Sequence, residues 1–142
     1  MVVVAAAAPA EVSPSWLVLD LVRSRGWRCE YECGDRVTPV PESAACLFPS
    51  QAGEPRTLLT VWPDPELEWI IRLYAEDEIV SDVDLHQIQG QDRLDAFCRL
   101  LQTLGDALRK EICVYSEGDN TYPPMMAYDV ATGRVVFLAG PW

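Results

Sequence analysis

Lysine and histidine are almost missing from this chain: Lys110 is its one lysine and His86 its one histidine. The first shortage weighs against a lysine nucleophile, and the second means that any Ser–His or Cys–His catalysis would have to run through His86. No serine or cysteine stands in a G-x-S-x-G elbow. The few glycines are scattered, and neither G-x-G-x-x-G nor G-x4-G-K-[ST] occurs, so no phosphate cradle is written here. Basic residues form no stripe, because the arginines at 23, 25, 28 and 36 alternate with Asp20, Glu30, Glu32 and Asp35. Nucleic acid is therefore excluded as a partner on grounds of sign. No run reaches the ~18 apolar residues of a membrane span. A cytoplasmic location is the expectation.

The five cysteines, Cys29, Cys33, Cys46, Cys98 and Cys113, are odd in number and irregular in spacing, which argues against a secreted disulfide framework. They read as reduced, small core hydrophobes. The competing reading is a zinc site from Cys29, Cys33, Cys46 and His86, although Cys-x3-Cys is not the usual spacing. The apolar start, Met1 to Ala10, lacks the basic flank of a signal peptide. Residues 1–12 read as a disordered tail, and 13–142 as one α+β domain.

Ser13-Pro14-Ser15 ahead of an apolar run predicts a helix ending at Gly26, with a strand as the alternative. Trp27, Cys29, Tyr31 and Cys33 alternate with charged residues, the period of a half-buried strand. Residues 34–55 read as an ordered loop. Further strands follow over 57–62, from Leu67 through Leu73, and over 79–88. The two prolines of Pro63-Asp64-Pro65-Glu66 dictate the first turn between them. Gly90 breaks the chain, and Asp92 caps a helix whose Leu94, Phe97, Leu101, Leu104 and Leu108 form one stripe. A strand over 112–116 and a hairpin over 126–139 complete a mostly antiparallel sheet. The long helix and the shorter N-terminal one pack on one of its faces. The passage 79–116 reads as a crossover unit.

What the chain has in excess is carboxylate. Between Asp64 and Asp95 ten acids face two arginines, a net of −8 out of −11 with His86 neutral. Such a patch attracts basic surfaces. The best-defined constellation inside it is Asp82, Asp84 and His86, which share one face if 79–88 is a strand. Those residues would suit a divalent ion, or Asp84 would orient His86 as a base. The plainer reading is the solvent side of a half-buried strand.

Leu100-Leu101-Gln102-Thr103-Leu104-Gly105-Asp106-Ala107-Leu108, followed by Ile112-Cys113-Val114-Tyr115-Ser116-Glu117-Gly118 and Tyr128-Asp129, resembles a pattern in small bacterial immunity proteins. These are the antidotes of polymorphic and contact-dependent toxins. The resemblance implies an acidic α+β domain that blocks one toxin and has neither cofactor nor catalytic residues. The leading expectation is thus a non-enzymatic binding protein. Glu66, Glu68, Trp69, Tyr74, Glu76, Asp77, Glu78, Asp82 and Asp84 would converge to meet a protein partner with a basic surface. Two alternatives stand beside it: a small metal-dependent hydrolase using Asp82, Asp84 and His86, and an accessory subunit of a larger assembly.

Overall fold

A computed structural model describes residues 2–5, 14–34, 36–41, 57–75, 78–115 and 124–137. They form nine strands: β1 (Val2–Ala5), β2 (Arg28–Cys33), β3 (Arg36–Thr38), β4 (Thr57–Asp64), β5 (Leu67–Ala75), β6 (Glu78–Val83), β7 (Ile112–Tyr115), β8 (Met126–Asp129) and β9 (Arg134–Phe137). Two α-helices, α1 (Pro14–Arg25) and α2 (Gln91–Leu108), and a 3-10 helix over Leu85–Ile88 accompany them. All neighbouring strands run antiparallel, in the order β3-β2-β4-β5-β6-β1-β7-β8-β9. The fold is α+β and mostly sheet, as its sequence pattern implies.

The first dozen residues are not all tail. Val2–Ala5 forms the strand between β6 and β7, with Val3 opposite both Ser81 and Val114. Three consecutive β-branched valines favour extended backbone, and they form the strand in this central slot. Residues 6–13 lie outside the described ones. Because β6 and β7 are each antiparallel to β1, they are parallel to one another. The β6–α2–β7 passage is therefore a crossover with one strand slotted inside it, a split βαβ unit.

Cross-strand register explains which side chains are buried. Cys29, Val61, Trp69 and Val83 form one row across β2, β4, β5 and β6, and Tyr31, Leu59, Ile71 and Ser81 form the next. These rows face the helices, where Val18, Leu19 and Val22 of α1 join the same core. From α2 come Phe97, Leu100, Leu101, Leu104 and Leu108. Leu94 is only half-buried, and the buried Leu100, three residues after Phe97, widens the stripe on its other side. The opposite face carries Glu30, Thr60, Ile70 and Asp82 in one row.

Three local boundaries differ from the sequence pattern. A three-residue strand, β3, interrupts the expected loop and pairs Val37 with Glu32; residues 42–56 lie outside the described ones. The strand expected over 79–88 stops at Val83, since the Asp84 carboxylate accepts the His86 N–H and turns the chain into the 3-10 helix. Finally, α2 begins at Gln91 behind Gly90, whose φ of 92° only glycine adopts readily. Asp92 lies in the first turn, where its charge still suits the helix dipole, but it is not the cap.

Candidate binding surface

The turn after β4 is built by its own side chains. Pro63 cannot donate to the ladder, and the β4–β5 register slips between Val61 and Asp64. Asp64 Oδ1 then accepts the Glu66 N–H at 3.0 Å, a local bond that fixes the turn and leaves Glu66 in solvent. One residue further on, Glu68 donates its N–H to Gln87 Oε1 at 2.6 Å, tying the start of β5 to the 3-10 helix.

Asp84 heads that 3-10 helix. Its Oδ1 accepts both the backbone N–H of His86 and the ring Nδ1–H, each at 2.9 Å. The backbone bond first, and the ring second, hold the Asp84 carboxyl below the usual range, so it stays anionic. The bond also assigns the His86 proton to Nδ1, because a carboxylate only accepts. From the first turns of α2, Arg93 reaches Glu66 at 3.3 Å.

These elements enclose an open cleft of about 160 Å³ lined by Asp64, Glu66, Gln87, Asp92, Arg93 and Arg99. Three carboxylates, Asp64, Glu66 and Asp92, thus line the cleft beside the guanidinium groups of Arg93 and Arg99, while Glu68 and Asp84 stand at the same end of the sheet and bond Gln87 through their main chains only. Glu66, Asp84 and Asp92 are exposed. Trp62, half-buried two residues before Asp64, carries the Arg28 guanidinium 4.4 Å from its ring centroid.

Other residues expected at this surface lie elsewhere. Trp69 is fully buried in the core and cannot meet a partner. Asp82 sits in mid-sheet on the helix-free face and is ion-paired with Arg72 of β5. Glu78 stands opposite Ala75, at the far end of β5 from Leu67, about 26 Å away for a strand of this length. A meander places successive turns at opposite ends of its strands, so the acidic stretch divides rather than converges. Tyr74 lies on β5, with its side chain outside the described structure, and Glu76 and Asp77 also lie outside it.

Asp82, Asp84 and His86 are not brought together as a metal site: Arg72 holds the first, and the other two hold each other. Among the described residues no three His, Cys, Asp or Glu side chains are grouped to hold a metal ion. The described cysteines are free thiols spread over β2, α2 and β7. Cys46 lies outside the described residues. Burial raises the Cys29 and Cys98 thiols, and burial together with Glu111 pushes Cys113 up to about 11. Thiols raised in this way are poor nucleophiles and poor ligands at neutral pH.

No family model matches this chain, and no curated protein or solved structure is significantly similar to it. Among the described residues no helix is long and apolar enough to cross a membrane.

Asp64, Gln87 and Asp92 were passed over in the sequence for a physical reason. Each is unremarkable where it stands, in a Pro-rich turn, a polar run and a helix start. Only the packing of the 3-10 helix against β5 and the start of α2 brings them together.

Proposed function

We propose that this chain is a non-enzymatic binding protein of the immunity type, which neutralises a cognate bacterial toxin through the acidic end of its sheet. The observation that supports this reading is the convergence of Asp64, Glu66 and Asp92, from a strand end, a turn and a helix start, on one concave surface, with the exposed Asp84 at the same end of the sheet. A concave anionic surface repels phosphate and attracts a basic one. Toxins that act on nucleic acid present a basic cleft, and a carboxylate-lined surface competes with the substrate for it. Arg93 pre-positions Glu66, and an incoming guanidinium would take over that bond.

The test is co-expression with the product of a secreted-toxin gene found beside this one. The wild-type chain should restore growth, whereas Asp64→Lys/Glu66→Lys/Asp92→Lys should be folded and fail to protect. Protection by the triple variant equal to wild type would place the interface elsewhere. A wild-type chain that gives no protection against that toxin would remove the immunity reading.

A further inference from the structure

The two edges of the sheet are not alike. At one edge β3 is three residues long, carries Arg36, and is followed by Pro39 and Pro41. Short length, charge and proline are the usual defences of an edge against further pairing. At the other edge β9 reads Arg134-Val135-Val136-Phe137, four residues without proline and with Arg134 as their one charge. It pairs with β8 alone among the described strands, and both Val136, at 41 %, and Phe137, at 62 %, are exposed.

We propose that β9 pairs antiparallel with β9 of a second copy of this chain, about a two-fold axis at Val136. Strand pairing sets residues of the same facing opposite one another, so an antiparallel self-pair must centre on a residue rather than between two. Centred on Val136, the register puts Val136 against its own copy and Val135 against Phe137, an apolar match on both faces. Charge selects this edge for self-association. The chain carries a net −11 and repels itself in general, yet the only charge on β9, Arg134, stands opposite Asp129 of β8. Among the described residues β9 therefore carries no unbalanced charge, and two copies can pair over 134–137 without setting like charges opposite one another. The same two-fold leaves the acidic end of β4, β5 and α2 outside the contact, so the inference does not rest on the proposed function.

Sedimentation velocity of the full chain over a dilution series tests this. Wild type should be a dimer at the concentrated end, and Val136→Lys, which sets two ammonium groups face to face at the axis, should be a monomer with unchanged circular dichroism. Val37→Lys, at the β3 edge, should remain a dimer. As a second readout, amide exchange over 134–137 should slow with rising wild-type concentration. A wild type that is monomeric throughout overturns the proposal, as does a dimer that survives both Val136→Lys and Phe137→Asp. Protection of 134–137 only on adding a different protein would also overturn it, assigning the edge to that protein.

Discussion

Gly105 is buried in the last turn of α2, directly against the ring of Tyr128. A Cβ at this position would overlap Cδ1 of that ring and press on the Lys110 carbonyl at 3.2 Å. The missing side chain lets α2 approach β8 closely enough for the Tyr128 hydroxyl to donate to the Asp106 carboxylate. Gly105→Ala should therefore destabilise the fold by about 1–3 kcal/mol in urea titration, the range for overpacking, despite alanine's better helix propensity. The Asp106 bond also raises the Tyr128 phenol above its ordinary range. A raised tyrosine contributes stability that is fully present below the unfolded value of about 10 and lost as pH climbs through the folded one. Burial also raises Tyr115, so absorbance titration should show these two tyrosines ionising late in wild type, and Asp106→Asn should bring only Tyr128 back toward the others. That α2 contains a glycine is plain in the sequence; that a tyrosine some twenty residues later demands it is not. Likewise, Arg109 ends α2 in the left-handed region at φ 55°, a place where sequence leads one to expect glycine.

At the scale of elements, α2 was the most legible part of the chain. Its stripe of Phe97, Leu101, Leu104 and Leu108 is buried, as a 3.6-residue period requires. Leu101 is fully enclosed, and Leu101→Ala should cost about 2–5 kcal/mol by chemical denaturation. The least legible element was β1. Its four residues look like a tail because nothing within the first dozen residues pairs with them; their partners are β6 and β7, far along the chain. Val3→Pro discriminates the two readings. In a tail it would change nothing, but in a strand bonded on both edges it removes a ladder donor and should cost about 2 kcal/mol or more. The 79–88 segment was misread for a different reason. Period-2 alternation continues through Asp84 and His86, and only the local Asx bond, which periodicity does not register, ends the strand.

For the whole molecule, the sequence shows an excess of carboxylate but not where it lies. Read linearly, 64–95 is one acidic run. The nine-residue β5 separates its two turns and leaves Glu66, Glu68 and Asp84 with Asp64 and Asp92 at one end, and Glu78 at the other. Neutralisation within the sheet goes further, since Arg72 occupies Asp82. On the proposed function, the end carrying the cleft, not the stretch as a whole, meets the partner. Stopped flow across a range of salt, reading the association rate of the purified chain with the proposed cognate toxin, tests this. The wild-type rate should fall steeply with salt. Asp64→Lys/Glu66→Lys/Asp92→Lys should associate about ten-fold or more slowly at low salt, and Glu78→Lys should stay close to wild type. A triple variant that associates at the wild-type rate, or a Glu78→Lys variant that slows as much as the triple, would contradict it.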